Sequence, residues 1–116
     1  MNTLRNSVKL IGRLGQDPEV KLLDKGNKVA IFSLATSDSY TTNEGSKQEQ
    51  TQWHTIVVRG NLAGICEKYL KKGKEIAIDG RLAYRTWEDK NGTRHYKSEI
   101  IASDILFVGS NGKINN

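Results

Sequence analysis

Trp53 and Arg59 fall on one face of an alternating segment, Trp53-His54-Thr55-Ile56-Val57-Val58-Arg59. Arg81, Arg85 and Trp87 share a face of a second such segment, Glu75 to Trp87. Side chains two positions apart in a strand point the same way. The opposite faces carry His54, Ile56 and Val58 in the first segment and Ile76, Ile78 and Leu82 in the second. The tryptophans and arginines therefore stand on the faces turned away from the core. An exposed indole beside a guanidinium suits a single-stranded nucleic acid, whose unpaired bases offer flat rings and whose phosphates need cations. Tyr40 supplies a further ring at the start of a long polar stretch. The competing reading, that both tryptophans only fill a barrel or a subunit contact, is weakened because each has arginine partners on a polar face of a basic chain.

Catalytic chemistry finds no support. His54 and His95 are the only histidines, Cys66 is the only thiol, and no nucleophile elbow, zinc-protease helix or phosphate-binding loop occurs. Cys66 lies on the apolar stripe of a helix, where a core role is expected. Asn91-Gly92-Thr93 has the spacing of a glycosylation acceptor but reads as a hairpin turn. No metal site, cofactor or enzymatic activity is expected. A duplex reader fits poorly, because the single amphipathic helix has no second helix to pair with.

These residues sit in a chain of 116 residues, one domain's length, with 18 Lys+Arg against 13 Asp+Glu and a net charge of +5. A basic balance favours a polyanionic partner without naming it. One cysteine excludes an intramolecular disulfide. No apolar run approaches a membrane span, and the start reads as strand rather than signal peptide. The expectation is a reduced, cytoplasmic protein.

The elements that must hold the site follow from periodicity. Val8 to Leu14 alternates, with Val8, Leu10 and Leu14 on one face and Lys9, Ile11 and Arg13 on the other. Gly15 to Pro18 breaks the strand, Glu19 to Leu22 suits a short edge strand, and Asp24 to Asn27 suits a turn. Val29 to Thr36 is apolar on both faces. Ser37 to Gln52 is polar and predicts a long loop or an extended hairpin tip. Asn61 to Gly73 predicts the one helix, with Asn61 as N-cap, Leu62, Ile65, Cys66, Tyr69 and Leu70 as its apolar stripe, and Gly73 as its stop. Asp89 to Gly92 turns the chain into a last strand, Arg94 to Val108. Five main strands with a helix between the third and fourth is the element order of an all-β OB-fold barrel. Residues 1–108 would form it, and 109–116 a short flexible polar tail.

Several stretches together resemble the bacterial single-stranded DNA-binding protein family. They are Asn6-x-Val8, the run Ile11-Gly12-x-Leu14-Gly15-Gln16-Asp17-Pro18-Glu19-Val20, Leu34-Ala35-Thr36-Ser37, Glu49-Gln50-Thr51-x-Trp53-His54, Tyr69-Leu70-x-Lys72-Gly73 and Ile78-x-Gly80. The resemblance runs from about Thr3 to Val108. It implies a homotetramer that wraps and protects single-stranded DNA without sequence preference during replication, recombination and repair, in the bacterial cytoplasm at the nucleoid. By position, it implies stacking at Trp53, Trp87 and Tyr40 and a basic DNA path at Lys72 and Arg85. His54 matches a position tied to subunit contacts, to which Val8 and Leu10 on the first strand are added. Lys47, Arg5 and Arg81 are further candidates for the DNA path.

Three departures from the family pattern stand out. Arg59 replaces a stacking Phe, which predicts retained binding with steeper salt dependence. Asn61 and Thr86 stand where basic residues are frequent. The acidic, Phe-ended tip that recruits replication and repair enzymes is absent, which argues against such recruitment and leaves open a truncated core or a tail-less branch. Two other functions remain open: an accessory OB module of primosome-like type that binds mainly a protein, and an RNA-binding OB module.

Overall fold

Strict alternation of inward apolar and outward polar residues builds a sheet that closes on itself. The computed structural model describes residues 5–108. Its strands are β1 (Val8–Leu14), β2 (Glu19–Leu22), β3 (Lys28–Thr41), β4 (Lys47–Arg59), β5 (Glu75–Glu88) and β6 (Arg94–Phe107), with one helix, α1 (Asn61–Tyr69), between β4 and β5. The sheet order is β1-β5-β6-β4-β3-β2, and β1 also pairs with β3. That extra pairing closes a ring of five strands and leaves β2 as the short edge strand expected beside β3. The β4–β6 contact is parallel, and the other pairings are antiparallel. This is the five-stranded OB-fold barrel that the element order predicts.

The interior is filled from the inward positions of each strand: Leu14, Phe32, Leu34, Ile56, Val58, Ile76, Ile78 and Ile100 are all at most 5% exposed. Ala63, Cys66 and Leu70 join the same core from α1 and the residue after it. No polar or charged residue is buried among the described residues. The interior therefore carries no uncompensated charge, and burial of hydrocarbon holds the barrel together.

The helix corrects three expectations. Its N-cap is Gly60, not Asn61, which is the first helical residue. Gly60 takes φ 73°, a conformation that favours glycine, and its N–H bonds to the Lys28 carbonyl at 3.0 Å. The chain turns there, one residue earlier than a side-chain cap would require. The helix also stops at Tyr69 rather than running to Gly73. Leu70 goes extended and becomes buried, and Gly73 (φ 87°) turns the chain toward β5. Of the expected stripe, Leu62, Cys66 and Leu70 meet the core, joined by Ala63, whereas Ile65 and Tyr69 are exposed.

Of the two readings of Ser37 to Gln52, the hairpin holds. Pairing of β3 with β4 runs without interruption from Val29↔Arg59 to Thr41↔Lys47. The β5–β6 pairing shifts register once, between Asp79 and Gly80, and then continues to Glu88↔Arg94. Both hairpins thus run on as two-stranded arms beyond the barrel. The polar tail expected at 109–116 lies outside the described residues.

Candidate nucleic-acid interface

Register decides which side chains share a surface. Val57 of β4 pairs with Ile101 of β6, which pairs with Arg81 of β5. Odd-numbered positions of β4 and β5, and of β6 as far as the bulge beside Ala102, therefore lie on one side of the sheet. Trp53, Arg59, Arg81, Arg85 and Trp87 are all odd, so the structure brings them onto a single outer face. Trp53 is 62% and Trp87 42% exposed, unusual for large apolar rings and available to a flat ligand.

Each ring is held in its own way. Trp53 pairs with Ala35, which pairs with Arg13 of β1. The Trp53 indole lies over Gly15, where a side chain would collide with its six-membered ring. Trp87 sits directly opposite His95, and the two rings stack at 5.3 Å between centroids and 19° between planes. The Arg85 guanidinium carbon lies 5.0 Å from the Trp87 ring centroid, and its Nε lies 3.3 Å from Glu99 Oε2. Arg85 is thus already engaged with an indole and a carboxylate.

His95 Nε2 and Asp89 Oδ2 are 2.8 Å apart. The hydrogen bond with His95, followed by that from the Thr93 N–H, holds the Asp89 carboxyl below its ordinary 3.8. Among the described residues, no group of three or more His, Cys, Asp or Glu is arranged to hold a metal ion.

The remaining candidates spread outward from this face. Lys47 lies at the tip of the β3–β4 arm with the parity of Trp53. Tyr40 is exposed but pairs with Gln48, which puts it on the opposite face of that arm from Trp53. Lys72 is exposed in the turn after α1, its backbone N–H bonded to Asp17 Oδ1 at 2.8 Å. Arg5 is exposed beside Asn6, whose side-chain amide forms paired bonds with the backbone of Leu82 at 2.9 and 2.8 Å. Those bonds keep Arg5 near β5. His54 is half-buried, with Nε2 3.0 Å from Thr36 Oγ1. Val8 and Leu10 are half-buried against the core. Sequence reasoning missed His95 and Lys97, which face Trp87 and Arg85 across β6. It also missed Arg13, whose guanidinium bonds to the Gly73 carbonyl at 3.0 Å.

The model of the single-strand binding protein family matches residues 5–108. The chain belongs to that family. It is 46% identical to single-stranded DNA-binding protein 1 of Chlorobaculum tepidum over 106 residues, covering 90% of this chain and 65% of that relative's length. It is 38% identical to single-stranded DNA-binding protein 1 of Xylella fastidiosa over 115 residues, covering 96% and 85% of the two chains. Among solved structures, it superposes on the Plasmodium falciparum SSB complex with single-stranded DNA with a TM-score of 0.82. That match is 37% identical and covers 90% of this chain and 95% of the other. A deletion mutant of the Thermus aquaticus single-stranded DNA-binding protein gives a TM-score of 0.79 at 29% identity, covering 92% and 52%. The family match spans the barrel and both arms, the elements that carry Trp53 and Trp87.

Proposed function

We propose that this single-strand binding family member binds single-stranded DNA without sequence preference and protects it during replication, recombination and repair. The observation that carries this reading is the single outer face of β4, β6 and β5, where exposed Trp53 and Trp87 stand with Arg59, Arg81 and Arg85. Bases stack on Trp53 and Trp87, a contact every base can make. The arginines neutralise phosphates, and a guanidinium also lies flat on a base. Lys47, Lys72 and Arg5 extend the cationic path, and Tyr40 takes a base where the strand rounds the edge of the β3–β4 arm. The face binds, and its chemistry calls for no bond-making step or cofactor. The proposed setting is the bacterial cytoplasm, in keeping with the bacterial relatives.

A homotetramer is proposed with it. Ile11, Ala77 and Leu106 make an apolar row across the outer face of β1, β5 and β6, and Ile11 and Leu106 are more than 60% exposed. Lys9 and Asp79, paired at 3.0 Å, flank the row on one side, and Arg13 with Glu75 flanks it on the other. Such a face can meet its own copy with charges matched. Val8 and Leu10 brace it from beneath, and His54, on the other side of β4 from Trp53, is proposed as a separate subunit contact.

The test is a titration with oligo-dT, read by tryptophan fluorescence with molar mass measured alongside. Quenching at low salt, with poly-U and duplex DNA competing poorly, is the expected result. An unquenched signal at low salt would overturn the DNA reading, and equal competition by poly-U would turn it toward RNA.

A further inference from the structure

The β5–β6 arm holds a chain of contacts that the stacking face alone does not require. Asp89 closes the turn of the arm: its Oδ1 accepts the N–H groups of Asn91 and Thr93 at 2.9 Å each. Its backbone N–H bonds to the Thr93 carbonyl at 3.0 Å. The other carboxylate oxygen, Oδ2, is left for the His95 ring at 2.8 Å. The imidazole so held lies nearly parallel to the Trp87 indole. His95 is on β6, so it covers the indole face that looks toward β6. The Arg85 guanidinium carbon also lies over the indole, 5.0 Å from its centroid. Arg85 is drawn toward β6 by Glu99.

We infer that Asp89 and His95 are positioning residues that hold Trp87 ready as a stacking platform for a nucleobase of single-stranded DNA. A tryptophan on an exposed two-stranded arm would otherwise lose rotamer freedom when a base stacks on it, and that loss subtracts from affinity. Here the turn fixes the carboxylate, the carboxylate fixes the imidazole, and the imidazole holds the indole before the DNA arrives. The inference rests on the single-stranded DNA reading, but its first half concerns the free protein and can be judged without DNA.

A Trp53→Phe background leaves Trp87 as the sole tryptophan. In that background, His95→Ala is expected to lower the fluorescence anisotropy of Trp87 and to increase its quenching by acrylamide, with the melting temperature as folding control. It should also weaken oligo-dT binding roughly three- to tenfold, the scale of one aromatic contact. His95→Phe keeps a flat ring and should preserve both readouts. Asp89→Asn should loosen Trp87 when His95 is present and have no further effect in the His95→Phe background. Unchanged anisotropy in His95→Ala would overturn the inference. So would an equal effect of Asp89→Asn in both backgrounds, which would mark a turn scaffold only, or a His95→Phe loss as large as that of His95→Ala, which would mark direct contact with DNA. Failure of the parent protein to bind oligo-dT would instead overturn the DNA reading and leave the anisotropy result standing.

Discussion

The indole of Trp53 occupies the space that a side chain at Gly15 would need: a Cβ there would run into Cζ3 and come within 2.9 Å of Cη2. The Gly15 N–H bonds to the Ser33 carbonyl at 3.0 Å, so the backbone beneath the ring is fixed by the barrel. Gly15→Ala therefore moves Trp53 rather than the strand. Oligo-dT affinity should fall by up to the about 1–3 kcal/mol that a stacked base is worth. In a Trp53→Ala background the same change should have almost no effect on binding. A full loss that persists in that background would show that Gly15 acts through something other than the ring.

Arg59 ends β4 on the face of Trp53 and is exposed. If it neutralises one phosphate, Arg59→Ala should reduce the slope of log affinity against log salt by about 0.7. Arg59→Phe should reduce the slope equally while keeping a ring for stacking. A slope unchanged in both variants would remove Arg59 from the DNA path.

Cys66 is fully buried, and the loss of solvent pushes its thiol from 9.0 up to about 11. The folded state favours the neutral thiol. Its contribution to stability is thus complete below pH 9 and is lost as pH rises from 9 to about 11. A thiol reagent at pH 8 should react only after unfolding, whereas rapid reaction with the folded protein would contradict this burial. Cys66→Ser should destabilise the domain by about 1–3 kcal/mol by placing a hydroxyl among hydrocarbon, measurable by denaturant unfolding.

Ile11→Lys places a like charge beside Lys9 at the β1 end of the Ile11–Ala77–Leu106 row. Light scattering should then give a smaller particle than the parent protein, with the melt of the barrel little changed because Ile11 is 61% exposed. An unchanged molar mass would move the subunit contact to another face.

Much of the barrel is legible in the residues. Alternation in β1, β4 and β5 separates Leu14, Ile56 and Ile78 from Ile11, Trp53 and Arg81 without any knowledge of neighbours, because a strand has period two. The shared face of Trp53 and Trp87 is harder: each lies outward on its own strand, but only the parallel β4–β6 pairing joins them. Tyr40 shows the same limit from the other side, since a polar stretch read as loop or hairpin tip carries no parity. His95 could have been found by counting outward from the Asp89–Gly92 turn, which sets it opposite Trp87. The helix ends were misjudged at Asn61 and Gly73 because a glycine turn and burial of Leu70 outweighed local capping preference.

The continuation of β5 and β6 past the barrel has a kinetic consequence. A two-stranded ribbon is at best marginally stable by itself in water. Amide protons between Leu82 and Tyr96 should therefore exchange with solvent through local opening, while those beside Ile56 and Ile76 wait for the whole barrel to unfold. Grip and endurance then belong to different parts of the chain, and an arm can be lengthened, shortened or recoded while the domain's lifetime stays the same.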